Sequence, residues 1–278
     1  MCQKLKILIQ YVVPQHLLSL FAGFLAESRI VWLKNCLIKL FMHFYHVDLK
    51  SARLEKISDY SDFNSFFTRS LKSELRPIVR GAKEIACPVD GRLSQAGKIN
   101  KDVLFQAKGL YYSLSELLGN TENRVKTFYE GSFATFYLAP KDYHRVHMPY
   151  AGELRETIYI PGSLFSVNQL TAAHVPRLFT RNERLVCFFE TNAGPMAVIL
   201  VGAMIVGSIK TVWPLECHGK RMVKKFYENM IRLDKGAELG LFKLGSTVIL
   251  LFPKDSITWS DDMRELKEVR MGELIGRF

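Results

Sequence analysis

Ser246 stands in Leu244-Gly245-Ser246-Thr247, directly before the apolar run Val248 to Phe252. Gly-Ser at a turn into a strand is common and says little alone. A serine hydroxyl activated by a histidine that an aspartate orients can nevertheless attack a carbonyl, and the nearest one belongs to its own predecessor, Gly245. Glycine there permits backbone conformations that other residues resist and leaves its carbonyl unshielded. Attack would put an ester in place of the peptide bond. Elimination across Ser246 and hydrolysis would then leave a new N-terminus carrying a pyruvoyl group.

The partners for such chemistry lie upstream. His144 and His147 occur in Ala139-Pro140-Lys141-Asp142-Tyr143-His144-Arg145-Val146-His147-Met148-Pro149, three residues apart after an apolar strand. No metal is expected, because a zinc site wants three or four ligands and no neighbouring Cys or Glu completes the set. On a helical turn the two rings would share a face, and on a strand they would point to opposite faces and could hold different jobs. Asp90 lies in Cys87-Pro88-Val89-Asp90-Gly91-Arg92, where an Asp before Gly between two β-like runs is usually only a turn residue.

These residues must be positioned by a β-rich body, because from about residue 80 the chain reads as short alternating runs punctuated by Gly, Pro and Asn. Strands are expected over Ser132 to Leu138, Arg184 to Glu190, Met196 to Ile205 and Val248 to Phe252, with Asn192-Ala193-Gly194 as a hairpin turn. Ser113 to Leu118 and the region Ser61 to Leu71 read as helical. The N-terminus differs: Ile7 to Ala26 contains no Lys, Arg, Asp or Glu but is broken by Gln10, Pro14 and Gln15-His16. It is long enough to span a bilayer, yet those breaks disfavour spanning and spoil a secretory signal. Arg29 to Val47 is a sided helix, with Asn35, Lys39, His43 and His46 on one side and Ile30, Leu33, Leu37, Leu40 and Phe44 on the other. Two adjacent apolar segments favour a place in the membrane interface over burial in the core. The expected class is α+β: residues 1–60 membrane-associated helices, residues 61–278 a β-rich catalytic domain. No internal repeat or low-complexity segment is present.

Composition agrees. The 278 residues, 48% hydrophobic and 23% charged, can bury a sizeable core, which excludes a disordered chain and a multi-span membrane protein. A net charge of +11 favours anionic partners. Lys220, Arg221, Lys224 and Lys225 form one basic cluster, which an ordinary solvated face would explain equally well. The cysteines Cys2, Cys36, Cys87, Cys187 and Cys217 are scattered and odd in number, which argues for a reducing compartment rather than a disulfide framework.

Four segments in order carry a resemblance. Pro88-Val89-Asp90-Gly91-Arg92, Tyr137-Leu138-Ala139-Pro140 continuing through Asp142 to Pro149, Pro161-Gly162-Ser163-Leu164-Phe165-Ser166-Val167-Asn168, and Leu239-Gly240 to Leu244-Gly245-Ser246-Thr247-Val248 together resemble bacterial phosphatidylserine decarboxylases. Each motif is weak alone; their joint order is specific, most strongly from residue 62 onward. Cys87 departs from the family, whose members usually carry a small residue there, at a position to which no chemistry is assigned.

The resemblance implies decarboxylation of phosphatidylserine to phosphatidylethanolamine by a proenzyme that cuts itself between Gly245 and Ser246. Asp90, His147 and Ser246 match the family's processing set: Asp90 orients the ring, His147 takes the hydroxyl proton and Ser246 attacks. Ser246 becomes the covalent pyruvoyl cofactor, an electron sink of the kind pyridoxal phosphate provides elsewhere. His144 matches the histidine expected to protonate the carbon left by carbon dioxide loss or to assist the decarboxylation, and its ordinary pKa suits proton transfer at cellular pH. The implied partners are phosphatidylserine, an anionic membrane surface, and the two cleaved chains held as a heterodimer, with no nucleic acid. The implied location is the cytoplasmic side of the inner cell membrane, held peripherally. A serine hydrolase would use the same residue types but keep Ser246 intact. A nonenzymatic basic binding protein would explain the charge but not the motif order.

Overall fold

The computed structural model describes residues 3–203, 209–215, 219, 221–243 and 246–278. The apolar N-terminus forms three helices, α1 (Gln3–Val12), α2 (Gln15–Ala26) and α3 (Val31–Tyr45). Pro14 separates the first two, as a residue without an N–H that restricts its predecessor should. Among the described residues no single helix is long and apolar enough to cross a membrane; α2 and α3 would qualify only as a pair, and they are bent by 117°. The glutamines that interrupt the apolar run tie these helices to the body. Gln10 Oε1 accepts the Ser166 N–H at 3.0 Å, and Gln15 Oε1 accepts the Leu164 N–H at 2.7 Å.

The sidedness expected of α3 is only partly realised. Leu37 turns to the interior together with Ile38 and Phe41, whereas Ile30, Leu40 and Phe44 stay exposed beside Trp32. Lys34, by contrast, is buried, because its ammonium donates to the Tyr60 carbonyl at 2.7 Å. The interior side meets a short helix, α4 (Phe63–Phe67), which starts at a capping box: Asp62 accepts the Ser65 N–H at 2.7 Å while Ser65 Oγ accepts the Asp62 N–H at 3.2 Å. Phe63, Phe66 and Phe67 of α4 share one core with Ala26, Ile38 and Tyr60, so this core crosses residue 60.

The rest is α+β as expected, built on an eight-stranded antiparallel sheet. Its strands in chain order are β1 (Gly91–Lys98), β2 (Ser132–Leu138), β4 (Gly152–Ile160), β5 (Arg184–Thr191), β6 (Gly194–Val201), β8 (Val223–Leu233), β10 (Ser246–Phe252) and β11 (Glu268–Val269). A smaller sheet holds β3 (Arg145–His147), β7 (Ile209–Thr211) and β9 (Glu238–Phe242) in the order β7-β9-β3. The large sheet runs β8-β4-β5-β6-β10-β2-β1-β11. Strand β10 is therefore interior, paired with β6 and β2, and all seven of its residues are buried, which suits its β-branched and apolar run. The expected strands and the Asn192-Ala193 turn fall where the sequence places them, although Met204 and Ile205 lie outside the described residues. Lys224 and Lys225 are neighbours on the edge strand β8 and so point to opposite faces rather than forming a one-sided patch; Lys220 lies outside the described residues.

Candidate active site

Ser246 opens β10 opposite Leu138 of β2. Directly paired residues share a face, and Leu138 faces the core between the two sheets together with Val146, Met148 and Phe242. Ser246 is fully buried there and its Oγ has no hydrogen-bond partner. The Thr135 and Thr247 hydroxyls are buried in the same state, so it is the place of Ser246 at the head of β10, together with its bare Oγ, that makes it a candidate. Leu244 and Gly245, and with them the expected cut bond, lie outside the described residues.

His147 closes β3 and His144 directly precedes it, so the segment takes the strand alternative of the two considered. His144 is wholly buried. Its ring stacks on Phe67 with centroids 4.2 Å apart, and its Nε2 meets the Ala139 carbonyl at 3.0 Å. Donation to a carbonyl requires a proton on Nε2, so in the neutral ring Nδ1 is a bare lone pair, and it has no partner. Burial, and then the nearby Arg69 charge, push its pKa down to about 3, so the ring is neutral at cellular pH. Ala139 is the residue after Leu138, which places His144 at the same end of the sheet as Ser246.

His147 is held differently. Its Nδ1 donates to the Gly236 carbonyl at 2.8 Å, leaving Nε2 to accept the Tyr143 hydroxyl at 3.0 Å. Gly236 presents that carbonyl from a turn closed by the Ala237 N–H on the Asp234 carbonyl, with a φ of +81° that favours glycine. Burial holds the His147 pKa below its ordinary value, against the opposing effect of the Gly236 bond.

Among the described residues Asp90 makes no hydrogen bond to His147; its partners are others. Arg76 takes both carboxylate oxygens, Nε to Oδ1 at 2.8 Å and Nη2 to Oδ2 at 2.5 Å, and the Met271 N–H donates to Oδ1 at 2.8 Å. Nor does His147 hydrogen-bond Ser246, since both its ring nitrogens are engaged elsewhere. The Pro88 carbonyl accepts the His147 N–H at 2.8 Å, so Asp90 and His147 lie on adjoining backbones, and the carboxylate acts on the ring through its charge alone. Gly91 is required here: a Cβ would lie 2.3 Å from the Tyr137 carbonyl oxygen.

Two clefts open beside these residues. A polar one of about 430 Å³ is lined by Arg76, Asp90, Arg92, Lys141, Asp142 and Arg270 among others. An apolar one of about 620 Å³ lies between the helices and the body, lined by Leu25, Leu37, Phe41, Phe63 and Val167 among others. Tyr137 borders both, and the Ala139–Asp142 turn contributes to each.

The family profile described as Phosphatidylserine decarboxylase matches residues 63–277, and a second, described as PSD, matches residues 5–46. The chain is 52% identical to a phosphatidylserine decarboxylase proenzyme of Azotobacter vinelandii strain DJ over 100% of its own length and 99% of the relative's. It is 53% identical to one of Ectopseudomonas mendocina strain ymp, over 99% of each chain. The chain belongs to the phosphatidylserine decarboxylase family. It is thus an enzyme, a carboxy-lyase. Three members of the site were not evident from the sequence. Tyr143 lay inside a quoted motif, four residues before His147, and could have been noticed by that spacing. Phe67 and Arg76 carried no signal, because only the fold brings them to His144 and Asp90.

Proposed function

We propose that this decarboxylase converts phosphatidylserine to phosphatidylethanolamine with a pyruvoyl group made from Ser246 by self-cleavage after Gly245. The observation that carries the reading is the buried, unpartnered Ser246 Oγ at the head of β10, at the same end of the sheet as the bare Nδ1 of His144. Attack by Oγ on the Gly245 carbonyl moves that acyl group from nitrogen to oxygen. Elimination frees the Gly245 carboxylate, and water then releases ammonia from residue 246. The site suits the product, because a ketone at residue 246 places no charge in a core lined by Leu138 and Val146. Once formed, the pyruvoyl group supplies a ketone that takes up an amine and an electron sink for carbon dioxide loss.

The two histidines are assigned separate work. His147 serves maturation, its Nε2 taking the Ser246 proton once Tyr143 releases it, with the Asp90 charge favouring the resulting imidazolium. His144 serves the mature enzyme, its Nδ1 moving a proton at the carbon that loses carbon dioxide. The cut chains stay together because residues 246–278 supply the interior strand β10, hydrogen-bonded on both sides.

The clefts fit a phospholipid, with an apolar cavity for hydrocarbon next to a charged one for a headgroup. Exposed Leu20, Phe21, Phe24 and Trp32 on α2 and α3 suit insertion into the interface, and the charge of +11 suits an anionic lipid surface. We place the enzyme peripherally on the cytoplasmic side of the inner membrane. The reading is tested by incubating the purified protein and its Ser246→Ala variant with phosphatidylserine. Carbon dioxide release by the parent alone supports it; equal release by both rejects it.

A further inference from the structure

Arg69 follows α4 and is only 5% exposed, yet its guanidinium is largely unspent. Nη2 donates to the Lys141 carbonyl at 3.0 Å, while Nε and Nη1 are buried and have no hydrogen-bond partner. Those two atoms carry three N–H donors. No carboxylate forms an ion pair with Arg69 among the described residues: Asp90 is taken by Arg76, and Asp142 accepts the Ala139 N–H at 2.7 Å.

A second buried arginine shows that this is not how the fold treats a structural cation. Arg184, 3% exposed, donates Nε to the Leu117 carbonyl, Nη1 to those of Thr180 and Asn182, and Nη2 to that of Glu116. Every nitrogen of Arg184 is satisfied, as burial of a charge demands. Arg69 pays the same desolvation and leaves two nitrogens bare.

Arg69 is among the lining residues of neither cleft, but it is anchored to the turn they share. The Lys141 carbonyl that holds Nη2 belongs to the turn bordering both clefts, and the Arg69 charge is felt by His144, Asp90 and Asp142. Phe66 lies under the guanidinium at 5.5 Å, and its neighbour Phe67 stacks on His144. Helix α4 thus places an aromatic ring on the histidine, and the residue two past its end supplies a guanidinium whose charge the histidine feels.

We propose that Arg69 grips an oxyanion of the substrate headgroup and so positions the substrate against His144. A guanidinium with spare N–H groups in a dry site is the group best suited to bind phosphate or carboxylate. The proposal rests on the reading of phosphatidylserine as substrate, which offers both anions.

The test compares the parent with Arg69→Gln and Arg69→Lys. Each protein is checked for self-cleavage on a gel, assayed with phosphatidylserine in detergent micelles, and titrated with phosphatidylethanolamine, which keeps the phosphate and lacks the carboxylate. Both variants should cut themselves. Arg69→Gln should raise KM about ten- to a hundredfold, the worth of hydrogen bonds to a charged group, with kcat changed far less and Arg69→Lys intermediate. Weakened product binding then identifies the phosphate as the anion held; unchanged product binding identifies the carboxylate. An unchanged KM in both variants overturns the proposal. Failure of both to fold, read by circular dichroism, assigns Arg69 to the scaffold and overturns it too. A parent that cuts itself but releases no carbon dioxide from phosphatidylserine overturns the substrate reading and this assignment with it.

Discussion

The Tyr143 hydroxyl donates to His147 Nε2 at 3.0 Å, so the ring nitrogen assigned to deprotonate Ser246 is capped at rest. The two residues are four apart, Tyr143 before β3 and His147 at its end, with the backbone N–H of His147 fixed on the Pro88 carbonyl. Maturation on this account begins with loss of that one hydrogen bond.

His147→Ala should therefore accumulate uncut chain, while His144→Ala should yield both fragments yet decarboxylate about 10²- to 10⁴-fold more slowly, the usual worth of a general acid. Tyr143→Phe removes the competitor for Nε2 and should cut itself at least as fast as the parent. Gels followed over time and a carbon dioxide assay separate these outcomes. Cleavage blocked in His144→Ala but normal in His147→Ala would exchange the two roles; slower cleavage in Tyr143→Phe would make the tyrosine a relay.

The local structure around the histidines was partly legible beforehand. A spacing of three residues after an apolar strand allowed either a helical turn or a strand, and the segment forms a strand that His147 closes and His144 directly precedes. The sheet strands were legible from their apolar runs, as in β10, where Val, Ile, Leu and Phe run unbroken from Val248 to Phe252. What the sequence hid were contacts across long separations. Arg76 reaches Asp90 fourteen residues away, and Phe67 reaches His144 across most of the body's first half, with no periodicity to announce either. Gln10 and Gln15 read as flaws in an apolar run, but they are the groups that dock α1 and α2 on the Leu164–Ser166 segment.

Both site histidines are buried with lowered pKa values, which ties stability to pH. Below the ordinary value of 6.5 the unfolded chain binds protons that the folded chain refuses, so stability is full above that pH and falls as pH drops. Because burial holds His144 neutral far below 6.5, it alone should cost on the order of 1 kcal/mol per pH unit once the pH falls below that value, with His147 adding to the slope. Denaturant midpoints of the uncut Ser246→Ala protein across this range should fall with pH, and the slope should lessen in the Ser246→Ala, His144→Gln double variant. A pH-independent midpoint would contradict the burial of these rings as neutral groups.

Membrane attachment is best tested by substitution rather than by removing residues 1–48, because α3 walls the core that holds Phe67. Phe21 and Phe24 are 63% and 76% exposed on α2, so Phe21→Glu with Phe24→Glu leaves the body's contacts in place. Losing the insertion of two phenyl rings should weaken vesicle binding by roughly a hundredfold or more. Self-cleavage and turnover of micellar substrate should persist. Vesicle flotation and activity equal to the parent's would remove the anchoring role of α2.

The most direct test of the account is the mass of the C-terminal fragment from active enzyme. Cleavage at Gly245–Ser246 with loss of the serine nitrogen predicts a chain of residues 246–278 that is lighter by one ammonia than the same peptide beginning with an intact serine, and resistant to Edman degradation. Ser246→Ala should give only the intact 31.9 kDa chain without activity. Full decarboxylase activity in a preparation made up only of uncut chain, or a fragment whose N-terminus is an unaltered serine, would contradict it.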